Sequence, residues 1–393
     1  QTYPHLLEKA GYQIGHWRKA WGPGTLTGKW AKNHPAGTQY KKGFSDFVDD
    51  LPDGKPFCFW LGASDPHRGY KLNSGAESGM DLDRIKLFPH FPDSAEIRGD
   101  VADYYFEVQR FDSDVGKAIT LLEEKGWLDN TLIVVTGDHG MPFPRCKSNL
   151  YDCGARVPLA IRWGDKIRPQ RVVEDFISTT DLAPTFLDAA GVEPPEAMTG
   201  RSLLPLFETE GSGRLQPDLR GYVLTGKERH VPSQEAPNSG GYPMRAIRNH
   251  HFLYIHNYAP DRWPNGTPNY QNAFIPGAWY ADTDNGPTKS YIVNNKDRDE
   301  VHRRAFDLCF GFRPSEELYD LSKDPDQLNN VATEPEYAAT LKRLAAQLQA
   351  DLAATGDPRA SGAAPFDHYP YGGGAPKFPG SEKKALKRNK KPK

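Results

Sequence analysis

The sequence predicts an α/β fold, a mixed or parallel sheet between helices, and three observations carry that expectation. Asp100–Lys125 places Val101, Tyr104, Tyr105, Val108, Phe111, Val115, Ile119 and Leu122 on one helical stripe, and Gly126 supplies the stop. Thr131–Thr136 (TLIVVT) follows at once as a short β-branched run, the mark of a strand buried on both faces. Lys55–Gly62 (KPFCFWLG) is a second such run. Helix, glycine stop and apolar strand in succession are the grammar of a parallel sheet.

The remaining elements extend this pattern. Leu6, Leu7 and Ala10 sit at helical spacing, Gly11 is placed to cap, and Tyr12–Ile14 leads into extended chain. This opening reads as the middle of a helix-to-strand unit, so a preceding segment is expected; residues 1–14 have neither the basic nor the apolar region of a signal peptide. Leu159–Arg162 is a third strand, and Ser178–Ala190 a helix capped by Ser178 or Thr179. Glu, Gly, Ser and Pro from 208 to 219 read as a linker. Beyond it Tyr222–Thr225, Met244–Ile247 and Phe252–Ile255 read as strands and Glu336–Ala353 as a helix. The expected organisation is a domain over 1–210, a linker over 211–220, a smaller α+β subdomain over 221–355 and a solvated Gly/Pro-rich, basic tail over 356–393.

Composition excludes several classes. Against 51 Asp+Glu stand 49 Lys+Arg, a net charge of −2, which gives the whole chain no electrostatic case for nucleic acid. No apolar run approaches the ~18 residues of a membrane span. At 37% hydrophobic the 393 residues can bury a sizeable core. Four cysteines are too few for a disulfide scaffold and form no C-x-x-C pair. Cys146 and Cys153 could close a short loop in an oxidising compartment; four unpaired thiols are the equal alternative.

Open parallel sheets bind ligands beyond the carboxyl ends of their strands. Two predicted strands end in reactive residues there: Thr131–Thr136 runs into Gly137-Asp138-His139-Gly140, and Phe57–Gly62 into Ala63-Ser64-Asp65-Pro66-His67-Arg68. An Asp followed by His can offer oxygen and nitrogen to one divalent ion, or cap a turn. The loop that follows carries Arg145, Lys147 and Arg156, cations suited to an oxyanion, or simply to solvent.

TLIVVTGDHG followed by KSNLYDCGARVPLAIRW resembles a signature of the sulfatase family, within the alkaline-phosphatase-like superfamily. PFPRCKSNLYDCG, GYPMRAIRNHHFLYIHN and EELYDLSKDPDQLNNVA are most similar to its sulfamidase (heparan N-sulfatase-like) branch, and the likeness runs from about Tyr3 to about Leu352. The resemblance implies an alkaline-phosphatase-like sandwich with a smaller C-terminal subdomain. It implies that Asp138 and His139 are two ligands of a Ca2+ ion, Lys147 a cation on the sulfate, His67 the substrate-side histidine and Lys19 a catalytic lysine. Trp21 stands near the position of a further family histidine. Glu228, Arg229 and His230 fall where relatives bind substrate. The implied function is hydrolysis of sulfate esters or N-sulfates of a sulfated saccharide, in a secreted, periplasmic or lysosomal setting.

The family's nucleophile is a formylglycine made from a C/S-x-P-x-R motif at a helix start, beside paired Asp ligands. Ser64-Asp-Pro-His-Arg68 matches by letter, but it follows a strand and Gly69 forbids a helix, so the nucleophile and two ligands are expected upstream of Gln1 and this chain alone is expected to be inactive. Two rivals remain: a phosphatase or phosphodiesterase of the same superfamily using zinc, and a non-catalytic glycan binder using Lys19, Arg145, Lys147 and the basic tail.

Overall fold

The computed structural model describes residues 2–22, 25–28, 31–216 and 220–381. The chain divides into two compact units that interleave in sequence: 1–69, 104–135 and 159–221 form one; 70–103, 136–158 and 222–393 form the other. Composition predicts domains in sequential order, because it cannot register a chain that leaves a unit and returns.

In the first unit β1 (Gln13–Arg18) is flanked by β2 (Thr38–Gln39) and β3 (Phe57–Gly62), both parallel to it. A second, two-stranded sheet pairs β4 (Ile133–Thr136) with β5 (Leu159–Arg162). The helix Tyr3–Lys9 precedes β1, and Gly11 turns the chain at φ 96°. β3 is a sheet edge rather than a strand buried on both faces, and Trp60 is accordingly 47% exposed. The helix over the predicted 100–125 stripe is longer, Ala95–Glu124. Ser178 is the cap of the following helix segment: its backbone N–H donates to Asp181 Oδ2 (2.8 Å), and a 3-10 turn then leads into Leu182–Ala189.

One aromatic nest organises this unit's core. Phe47 is fully buried, its ring centroid 4.9 Å from Phe59, 5.3 Å from Tyr40 and 5.7 Å from Phe57. Gly15 of β1 lies beneath it, where a Cβ would stand 2.6 Å from the Phe47 ring. Glycine is required there by space, not by backbone conformation.

The second unit is built on an antiparallel sheet, β6 (Tyr222–Lys227), β7 (Met244–Asn249), β8 (Phe252–Asn257) and β9 (Glu316–Asp320), in that order. Its two faces separate with the strand period of two. Met244, Ala246, Leu253, Ile255 and Tyr319 pack with Leu150, Tyr151 and Tyr242. Ile247, Tyr254 and Leu318 face Leu344, Leu348 and Leu352, one stripe of the helix Ala338–Ala354. Because both faces are covered, β7 reads as nearly continuous burial.

Residues 357–381, the start of the predicted solvated tail, instead belong to this unit. They form 3-10 turns at Pro358–Ser361 and Pro365–His368, and Arg359 is buried against Glu228. The basic residues 382–393 lie outside the described residues, as do 217–219 of the predicted linker. Asn265, in an Asn-Gly-Thr sequon, is 1% exposed and donates to the Cys309 carbonyl, so this amide is closed to a glycosyl donor. Among the described residues no helix is long and apolar enough to cross a membrane.

Phe47→Ala is expected to cost about 3–5 kcal/mol in chemical denaturation, and Gly15→Ala about 1–3 kcal/mol. In the double variant the cost of Gly15→Ala should fall but not vanish, because the Phe47 ring is gone while the Tyr40 ring still stands 2.8 Å from the added Cβ; additive costs would refute the contact.

Candidate active site

In the first unit, Lys19 and His67 lie at the carboxyl ends of neighbouring parallel strands. Arg18 of β1 is in register with Gly62 of β3, and the Lys19 N–H donates to the Gly62 carbonyl at 2.9 Å. A Cβ on residue 62 would overlap the Lys19 carbonyl, so glycine permits this approach. Lys19 is exposed, and Trp21, beyond it, is 50% exposed. The chain after β3 turns with the His67 N–H donating to the Ser64 carbonyl at 2.9 Å. The His67 ring is exposed and bonds the Arg68 carbonyl through Nδ1, which turns Nε2 outward. Asp65 Oδ2 meets Arg110 Nε at 3.2 Å and steadies the turn. No helix starts at Ser64, in keeping with its reading as a chance match.

In the second unit, the loop after β4 closes on itself. Thr136 Oγ1 donates to the Pro158 carbonyl (2.8 Å), and the Gly140 N–H to the Gly154 carbonyl (2.8 Å). Asp138 and His139 project from the near side. The His139 Nδ1–H donates to the Gly140 carbonyl at 2.7 Å, leaving Nε2 as the lone-pair nitrogen 3.7 Å from Asp138 Oδ2. One imidazole and one carboxylate thus converge. A carboxylate and an imidazole are donors suited to a divalent ion, and two donors make part of a site without completing one.

Lys147 sits deeper in the same loop, its side chain 8% exposed, with Nζ 2.9 Å from Asp284 Oδ2. Beside it Lys227 Nζ meets Asp282 Oδ2 at 2.6 Å, the carboxylate 1% exposed and also accepting from the Val231 N–H. His230 Nδ1 stands 3.8 Å from Asp282 Oδ1. Burial holds the His230 imidazole below its ordinary pKa; Asp282 and Asp284 oppose this, while Lys147 and Lys227 add to it. Burial likewise lowers Lys227, against the pull of Asp282. The result is a mixed cluster of two ammonium groups, two carboxylates and a neutral-leaning histidine.

Structure and sequence part company over the neighbouring residues. Glu228 is engaged internally: its carboxylate accepts from Arg245 Nη2 and Arg359 Nη2, both at 2.6 Å. Arg229 donates to the backbone carbonyls of Ser239 (3.0 Å) and Tyr369 (2.6 Å). Of the three expected substrate contacts only His230 joins the Lys147 cluster. Nothing in the alternating Asp282-Thr283-Asp284 of the sequence ties it to Lys147, which lies 137 positions before Asp284.

Removing one partner of a buried ion pair strands the other. Asp282→Asn is therefore expected to destabilise by about 3–5 kcal/mol, and Asp282→Leu with Lys227→Met by much less. His230 and His256 are both lowered by burial, so the unfolded chain binds more protons than the native one below about pH 6.5. Stability should fall as pH drops through that value towards the native pKa, and His230→Asn should flatten the profile of urea midpoint against pH. An unchanged slope would count against the burial.

Comparison with known proteins fits this geometry. The Sulfatase family model matches residues 1–192. An ulvan-active sulfatase of Formosa agariphila is 30% identical over 301 residues, covering 76% of this chain and 46% of that protein. The N-sulphoglucosamine sulphohydrolase of Homo sapiens is 31% identical over 336 residues, covering 75% and 60%. The chain thus spans about half to three fifths of the length of these curated relatives. A solved structure described as in complex with its substrate D-glucosamine-2-N,6-O-disulfate superposes with TM-score 0.59 at 21% identity, over 92% of this chain and 83% of that one. At that identity the likeness speaks to the fold, the α/β arrangement described above. Through residues 1–192 and the relatives that extend the match, the chain belongs to the sulfatase family.

Proposed function

We propose that this chain supplies part of the active site of a hydrolase that removes sulfate from a sulfated saccharide, as an O-ester or N-sulfate. The observation that carries the reading is Lys147: an ammonium held 8% exposed by Asp284, beside His230, in the loop opened by Asp138-His139. A lysine fixed in this way is a point charge for an oxyanion and loses little entropy on binding one. The named substrates of the relatives, ulvan and N-sulphoglucosamine, support glycans as the substrate class.

In this reading each residue has one task. Lys147 would neutralise sulfate oxygens, and family resemblance alone gives Lys19 a catalytic role. His67, with Nδ1–H tied to the Arg68 carbonyl, would act as the imidazolium, passing its Nε2 proton to the leaving oxygen or nitrogen as the bond to sulfur breaks. His230 sits where it can bond a sugar hydroxyl. Asp138 and His139 would help hold a divalent ion, calcium by family resemblance, which when bound would draw charge from the sulfate. The reading also requires a nucleophile, a formylglycine by family resemblance, which none of the residues named here supplies.

The test is sulfate release by the complete protein from N-sulfoglucosamine and from ulvan oligosaccharides. His67→Ala is expected to lower kcat by about 10²–10⁴ with folding intact, and Lys147→Ala by a comparable factor per folded molecule, with a loss of stability because it strands Asp284. Phosphate-ester hydrolysis outpacing sulfate release, with zinc as the activating ion, would overturn the reading in favour of a phosphatase. Salt-sensitive glycan binding without turnover would leave a binder.

A further inference from the structure

The second unit holds a cluster that the Lys147 site does not use. His90, Cys146 and Cys153 each direct a ligand atom, one ring nitrogen and two sulfurs, to within 4.8 Å of one another. Cys146 is fully buried and His90 is 3% exposed. The cluster sits on a closed piece of chain. The Cys146 N–H donates to the Phe143 carbonyl (3.1 Å), the Asn149 N–H to the Cys146 carbonyl (3.1 Å), and a Cβ on Gly154 would collide with that same carbonyl. Cys153 is thereby brought back beside Cys146 after one turn of the loop.

The imidazole gives the second, independent observation. His90 has a backbone hydrogen bond to Pro144, and its Nε2 is buried without a hydrogen-bond partner. A ring bonded through Nδ1–H carries its lone pair on Nε2, the tautomer that ligates a metal, and the carbonyl behind it fixes the ring, as carbonyls behind metal-bound histidines do. An orphan nitrogen in the interior normally costs about 1–3 kcal/mol. A Cys146–Cys153 disulfide would consume the sulfurs and leave that nitrogen unexplained; a cation would satisfy all three atoms.

We propose that His90, Cys146 and Cys153 form a structural site for a thiophilic divalent cation of the zinc class, separate from Asp138 and His139. Two thiolates and one imidazole are a soft donor set, poor for calcium or magnesium and good for zinc. Binding releases two thiol protons to solvent, and two thiolates then cancel the charge of a divalent ion, so no net charge is buried by the metal site itself. Burial and the neighbouring thiols push the Cys146 thiol well above its ordinary value, against a weaker pull from Arg145, so its deprotonation has to be driven by the ion itself. The ion would staple the segment around His90 to the loop that carries Lys147, the next residue after Cys146, and so hold that loop in place.

Metal content and cobalt spectra test this without reference to turnover. The chain, purified under reducing conditions without chelator, is expected to carry about one zinc per molecule by mass spectrometry of the metal. Cobalt substituted for zinc should give an intense thiolate-to-metal charge-transfer band. His90→Gln and Cys153→Ser should each reduce the metal content by about tenfold or more, an effect in line with loss of a first ligand. Cys153 is only partly buried, so its serine variant keeps the test usable should Cys146→Ser fail to fold. A Cys146–Cys153 disulfide without metal, two freely alkylated thiols without metal, or zinc unchanged in both variants would each overturn the proposal.

Discussion

Eight consecutive residues, 145–152, set the constraint on which the second unit depends, because nearly every polar side chain among them leaves water. Arg145, Lys147 and Asn149 are each no more than 7% exposed, and Tyr151 is 1% exposed. Burying such groups unpaired would cost several kcal/mol apiece. Each therefore demands a partner from a distant segment. Arg145 stacks on the Tyr151 ring at 3.7 Å and donates to the carbonyls of Leu308 and Gln327. Lys147 takes Asp284, Asn149 accepts from Arg313 at 2.6 Å, Tyr151 donates to Glu317 at 2.7 Å and Asp152 pairs with Arg248 at 3.0 Å. The strand β9, the helix Glu300–Phe310 and the segment around 284 are held by these demands as much as by apolar packing.

That constraint serves the chemistry. A lysine on an exposed loop would sample many rotamers, whereas Lys147 is fixed between a carboxylate and a wall of satisfied groups. The other unit uses a different device. There the geometry of a parallel sheet brings residues 19 and 67 to one edge, with a glycine allowing the backbones to touch. Exposed, solvated Lys19 and His67 are thus placed by backbone, whereas buried Lys147 is placed by side-chain pairing, with the partly exposed His230 beside Asp282.

Much of the scaffold was legible because it rests on local patterns. Leu159–Arg162 is a strand over the residues its sequence suggests, and β6, β7 and β8 begin at the predicted Tyr222, Met244 and Phe252. Gly11 and Gly126 stop their helices at positive φ. β9 was recognised only as a family motif, Glu-Glu-Leu-Tyr-Asp, since two glutamates obscure its alternation. The sequence reading does not include the helices Pro287–Asn294 and Glu300–Phe310; in the first, Lys289 takes a buried position on the carbonyls of Trp279, Tyr280 and Thr283 and breaks the apolar stripe.

By itself the sequence determined most of the element types, the α/β class, the strand-end positions of Asp138, His139 and His67, and the family. These follow from periodicity, glycine stops and motifs, all of which act over a few residues. Tertiary structure alone decided that Glu228 and Arg229 turn inward to arginines and carbonyls, that Lys147 meets Asp284, and that His90 faces two cysteines more than fifty residues away. The reason is desolvation: which polar group is paired and which is left to meet a ligand depends on what the folded chain brings within 3 Å, and no short-range pattern encodes that.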